Sequence, residues 1–161
     1  MRYLLIDRVL ELVVDERIVA IKNVSLEASY LEHHFPGLPL FPGALLLEAF
    51  AQASGYLVTR SAAARGDPEP MLVLGGIERA RFLKPIVPGD QVRITARIRG
   101  RESGAVTMDA EATVADVVVA RARLTLAGTP RGDHPLYAKA VDQSADLRTV
   151  LERTDDYLRP V

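Results

Sequence analysis

The segment ALLLEAFAQASGYLVTR, residues 44–60, constrains what this chain can fold into more than any other. Pro42 and Gly43 stand just ahead of it and mark a helix start, and the leucines, alanines, Phe50 and Val58 that follow leave almost no polar face. A helix of that kind is buried on all sides or lies in a membrane. At this length it falls short of the ~20 residues a span needs. The rest of the chain must therefore wrap it.

The wrapping material reads as β-structure. Ahead of the helix, residues 9–14 and 17–24 are rich in Val, Ile and Leu and flank a polar Asp15-Glu16 corner, a hairpin pattern. After a polar, proline-containing link, residues 61–70, the stretches 71–83, 90–99, 105–115 and 117–127 read as strands. They are joined by PIVPGD, GRESG and a corner at Asp116. The order β-β-α-β-β-β-β predicts an α+β fold, an antiparallel sheet curled around one central hydrophobic helix. Residues 129–161 open with TPRGDHP, and Leu147, Val150, Leu151 and Leu158 then form one stripe of a short amphipathic helix that Ser144 would cap. The chain accordingly divides into a domain at 1–128 and a C-terminal extension at 129–161.

Composition sharpens this without deciding function. With 48% hydrophobic and 25% charged residues and a formal net charge of -1, the chain is of the soluble globular class. The absence of cysteine excludes disulfides, thiolate metal sites and a thiol nucleophile, and fits a reducing compartment. Near-zero charge argues against nucleic acid as the main partner. The opening MRYLLIDRVLEL is interrupted at Asp7 and Arg8, too early for the apolar core of a signal peptide, so the expected location is the cytoplasm.

Two ionisable residues stand in surroundings that do not suit them. Glu48 lies inside the apolar helix, where a carboxylate needs a raised pKa or a polar partner unless it reaches solvent at a helix edge. Gln52, one turn later on the same face, is the nearest candidate partner. His34 sits in EHHFPGLPLFPG, residues 32–43, whose three prolines brace an ordered loop and push the residues before them toward extended geometry. A loop histidine is commonly a packing or surface residue. Here, however, a rigid loop presents a base, a helix start presents free backbone N–H groups, and a buried acid follows inside that helix. A metal site at Glu32, His33 and His34 is disfavoured because adjacent histidines seldom converge on one ion and no HExxH is present. Ser54-Gly55 lacks the GxSxG of a serine hydrolase. Arg79, Arg81 and Lys84 make a basic strand face, either a solvated edge or a docking surface.

The string HFPGLPLFPGALLLEAFAQ resembles the signature of the bacterial FabZ-type 3-hydroxyacyl-acyl-carrier-protein dehydratases, with HFP, then PG, then a helix carrying EA-x-AQ at this spacing. The likeness continues through LLIDRVLELVVDERIVAIKNVS before it and GGIERARFLKPIVPGDQVRI after it, covering residues from about 4 to 126. The resemblance implies a hot-dog fold and dehydration of a (3R)-3-hydroxyacyl-[acyl-carrier-protein] to the trans-2-enoyl thioester, without cofactor or metal. It implies His34 as the base, Glu48 as the acid and Gly43 as the backbone donor to the thioester oxygen; Gln52, Phe35, Tyr30 and His33 are the neighbouring residues expected to support the site. It also implies acyl carrier protein as partner and a homodimer or trimer of dimers with composite sites; because such carriers are acidic, the basic face of Arg79, Arg81 and Lys84 is the candidate docking surface. His33 replaces the family's usual glycine, and Tyr30 and Leu31 replace two phenylalanines. Together with the extension, these departures leave open primary fatty-acid synthesis or a polyketide or polyene route. A hot-dog thioesterase and a weakly catalytic partner subunit of a dehydratase are the competing readings.

Overall fold

The computed structural model describes residues 4–32 and 34–130. The extension beyond residue 130, with Ser144 and the Leu147, Val150, Leu151 and Leu158 stripe, lies outside the described residues, as does His33.

Six strands and one long helix follow the expected order. β1 (Arg8–Val13) and β2 (Arg17–Asn23) form the first hairpin, a 3-10 turn spans Ser29–Leu31, and α1 runs Gly43–Arg65. β3 (Pro70–Phe82), β4 (Gln91–Glu102), β5 (Ala105–Val114) and β6 (Val117–Pro130) complete the chain. All pairings are antiparallel and the sheet order is β1-β2-β4-β5-β6-β3. The third strand in sequence thus ends up at the far edge, paired with the last.

α1 packs across β2, β3, β4, β5 and β6. Its Leu46, Phe50 and Leu57 meet Ile18, Ile94, Met108 and Leu124 of the sheet in one continuous core, all essentially free of solvent. Burying each such side chain contributes roughly 1.5–3 kcal/mol as an upper estimate, so this layer is the main source of stability. Alternation along β5, with Val106, Met108, Ala110 and Ala112 inward, turns Thr107, Asp109 and Glu111 to the outer face.

Three expectations are corrected. The helix does not end at residue 60: Ser61, read as the start of a polar link, is fully buried, and its Oγ accepts a hydrogen bond from the Asp15 N–H at 2.9 Å. The helix stops instead where Gly66 adopts φ 75°, a left-handed C-cap. Nor is the helix wrapped on every side. One chain's sheet covers one side, and Leu45, Leu47, Glu48, Gln52 and Tyr56 remain only partly buried. Finally, Phe35, which precedes Pro36, is not extended but left-handed at φ 56°. The chain reverses there, with Pro36 and Gly37 (φ 83°) central to a turn closed by the Leu38 N–H donating to the Phe35 carbonyl at 2.8 Å.

Candidate active site

The loop from residue 34 to residue 42 carries His34 at its beginning and leads into α1. His34 is half-buried, and its Nδ1 lies 2.8 Å from the Leu40 carbonyl oxygen. A carbonyl can only accept, so in the neutral ring Nδ1 carries the hydrogen and Nε2 presents a lone pair. The Phe35 ring stands edge-on to the imidazole with centroids 4.7 Å apart and is itself 58% exposed. The loop is tied down by the Phe41 N–H, which donates to the Ile86 carbonyl at 2.8 Å.

α1 begins at Gly43 with Pro42 as N-cap, and among the described residues no side chain caps its first amides. Those N–H groups form a patch of partial positive charge at the helix end. A methyl group built on Gly43 would lie 2.9 Å from Cζ and 3.0 Å from Cε1 of Phe82, so the ring edge occupies the place of a side chain.

Glu48, half-buried, has the polar partner it needs: Gln52 Nε2 donates to its Oε1 at 3.0 Å. The amide cannot flip, because Gln52 Oε1 accepts from the Leu5 N–H at 2.8 Å. One carboxyl oxygen is thereby fixed in place. No hydrogen bond or ion pair joins His34 to Glu48 within the chain. Tyr30 turns to Phe41, edge-to-face at 5.5 Å, and burial, assisted by the charge of Asp7, holds its hydroxyl pKa above the usual value.

On the outer face of the sheet, register assembles a basic groove of about 570 Å³. Arg79 lies opposite Arg123 and Arg81 opposite Arg121, like charges that destabilise each other when directly paired. Asp109 and Glu111 on β5 relieve one member of each pair, at 2.7 Å from Arg123 and from Arg121. Arg97 also lines the groove. Among the described residues Arg79 and Arg81 have no ion pair. Lys84 is exposed but is not part of the groove wall. Neither His34 nor Glu48 lines it.

Residues 1–123 match the family model described as FabA-like domain. This chain belongs to the FabA-like family. Among FabZ relatives, each named 3-hydroxyacyl-[acyl-carrier-protein] dehydratase, it is 40% identical to that of Koribacter versatilis over 82% of this chain and 83% of that protein. It is 39% identical to that of Legionella pneumophila, over 76% and 81% of the two chains. Among solved structures, a chain of the dehydratase heterocomplex ApeI:P from Xenorhabdus doucetiae superposes with TM-score 0.69 at 16% identity, covering 88% of this chain and 91% of that one. The E. coli PaaI protein gives 0.58 at 19%, covering 74% and 81%. The sheet with its single long helix is the hot-dog fold, as the resemblance to FabZ-type dehydratases implied.

Three features around the candidate site were not legible in sequence, the Leu40 carbonyl, the Leu5 N–H and Phe82 against Gly43, nor were Arg97, Arg121 and Arg123 in the separate groove beside Arg79 and Arg81. The first two are backbone groups, and the others meet only through strand register or helix docking.

Proposed function

We propose that this chain dehydrates (3R)-3-hydroxyacyl-[acyl-carrier-protein] to the trans-2-enoyl thioester in fatty-acid synthesis. The observation that carries the reading is the Leu40 carbonyl on His34 Nδ1, which leaves Nε2 with a lone pair to act as a base in the loop that leads into α1. Nε2 takes the proton α to the thioester carbonyl. The electron pair left on carbon develops as negative charge on the thioester oxygen, which the Gly43 N–H stabilises. The β C–O bond then breaks as Glu48, in its acid form, gives its proton to the departing hydroxyl. Water leaves, the Cα–Cβ double bond remains, and solvent returns the proton from histidine to glutamate. Gln52 holds Glu48 Oε1 so that Oε2 faces the hydroxyl.

The reading includes a homodimer in which His34 of one protomer works with Glu48 of its partner. Its support is the missing link between the two within one chain, together with the long apolar edge of β3, where Val73 is 52% and Ile77 44% exposed. The acidic carrier docks on Arg79 and Arg81, with Arg97, Arg121 and Arg123 extending the basic surface and Lys84 beside it. Among the described residues no helix is long and apolar enough to cross a membrane, and the cysteine-free chain suits the cytoplasm.

The test is turnover of carrier-bound 3-hydroxyacyl chains followed by mass spectrometry. His34→Ala and Glu48→Gln should each slow dehydration by ~10²- to 10⁴-fold, the usual contribution of one acid or base group. Mixing the two inactive proteins under subunit exchange should restore part of the rate, and thiol release should stay at background. Near-wild-type turnover in either variant, or thiol release as the main product, refutes the assignment.

A further inference from the structure

We propose that Phe82 is a positioning residue for the reaction, acting through the backbone of Gly43. The inference rests on the reading of Gly43 as the donor to the thioester oxygen, and it explains why that position is a glycine. Gly43 is the first residue of α1 and is not among the glycines of positive φ, so its backbone conformation admits any residue. What a side chain would have to displace is the Phe82 ring. The Phe82 ring edge lies where Cβ would be, with Cζ, Cε1 and Cε2 at 2.9, 3.0 and 3.3 Å from that point.

The backbone that carries the ring is anchored just beyond it. Behind it, the Leu83 and Lys84 N–H groups both donate to the Val119 carbonyl, at 2.7 and 3.2 Å. Four residues on, the Ile86 carbonyl accepts from the Phe41 N–H, which ties the exit of β3 to the residues that enter α1. Phe82 therefore acts as a stop that sets how far the first turn can approach β3. No capping side chain competes for that role among the described residues. The ring keeps 52% of its surface exposed, so it also forms an apolar wall beside the amide, where hydrogen bonds to developing charge are stronger than in open water. Such placement matters because a misplacement of about 1 Å can lower the rate ~100-fold.

The experiment is a double-mutant cycle on Gly43→Ala and Phe82→Ala, with Phe82→Leu and Phe82→Tyr alongside. All are assayed on a 3-hydroxyacyl thioester of N-acetylcysteamine so that carrier docking does not enter, and each is checked by melting temperature. Gly43→Ala should lower kcat about 100-fold, the scale of losing one oxyanion donor. Phe82→Ala should lower kcat about tenfold with KM changed less than about twofold, a split that a merely structural defect would not produce. The double variant should run at least about tenfold faster than Gly43→Ala alone, because the methyl group now has room. Phe82→Tyr, which places an oxygen on the atom nearest Gly43, should be slower than Phe82→Leu although chemically closer to the parent.

Strictly additive losses, or Phe82→Tyr at the parental rate, overturn the role of Phe82 while leaving that of Gly43 standing. Gly43→Ala at the parental rate instead removes the premise, and both fall. Should Gly43→Ala not fold, the order of the Tyr and Leu variants decides alone.

Discussion

The sheet has two free edges, and they are built on opposite principles. β1 is short, six residues, carries a bulge between Val9 and Glu11, and has its charges neutralised at home: Glu11 pairs with Arg17, and Asp7 with Lys22 at 2.9 Å. β3 is thirteen residues long, leaves Val73, Leu74 and Ile77 in solvent, and carries Arg79 and Arg81 without ion-pair partners among the described residues. Both edges are bulged, β3 twice, between Leu74 and Gly76 and between Ile77 and Arg79, so the difference lies in length and apolar surface: short, charged edges resist pairing with another chain, and long apolar ones invite it. The contrast teaches that one edge is finished within the chain, whereas the other leaves apolar surface open, which the proposed homodimer would cover.

The largest effect should come from spoiling the unfinished edge. Ile77→Lys with Val73→Lys should yield monomers by light scattering and cut turnover by about 100-fold or more, since a composite site then lacks one of its proton-transfer groups. Leu10→Lys on β1 should leave the assembly intact and turnover within about twofold, the usual range for surface changes. If both edges respond alike, the contrast is not functional.

A smaller effect should separate the charges of the two edges. Arg79→Glu with Arg81→Glu should raise the KM for carrier-bound substrate about tenfold at low salt, with the difference shrinking as ionic strength rises. Glu11→Gln, which disturbs only a local pair, should leave that KM unchanged. A uniform loss on carrier-bound and short thioester substrates alike would count against docking at β3.

The smallest effect concerns acid stability, where the two sides should match. Hydrogen bonds from Arg65 hold the Asp15 pKa below its usual value, and those from Arg123 do the same for Asp109. Both carboxyls therefore favour the fold above the unfolded-state pKa of 3.8, and that contribution is lost as pH falls through their lower folded values. Asp15→Asn and Asp109→Asn should each lower the melting temperature slightly near neutrality and converge on the parent at acid pH, so that the acid limb of the profile is flatter. A steeper limb in either variant would contradict the sign.

Strand positions were legible to within a few residues because alternation in β4, β5 and β6 is regular and their turns carry Gly, Asp or Ser. The edge position of β3 was not, since nothing local in MLVLGGIERARF says that its partner is the last strand rather than the next. The same non-local register hides Arg97, Arg121 and Arg123, which read along the chain as ordinary solvated alternation. Ser61 was misjudged for a related reason: its hydroxyl is satisfied by the Asp15 N–H, 46 residues away. At the site, His34, Gly43, Glu48 and Gln52 stood out because each residue type is anomalous where it lies. Phe82 did not, because a phenylalanine closing a strand is unremarkable until its contact is known.

The hydrogen bond between His34 and Leu40 has a genetic consequence. The group that selects the imidazole tautomer is a main-chain oxygen, which every amino acid possesses, so no single codon change at position 40 can delete it. Leu40→Ala or Leu40→Val should be nearly silent, and drift there is free. The vulnerability is transferred to the residues that shape the path of the loop, Pro36, Pro39 and Pro42, where a substitution leaves every functional atom encoded and still dissolves their alignment.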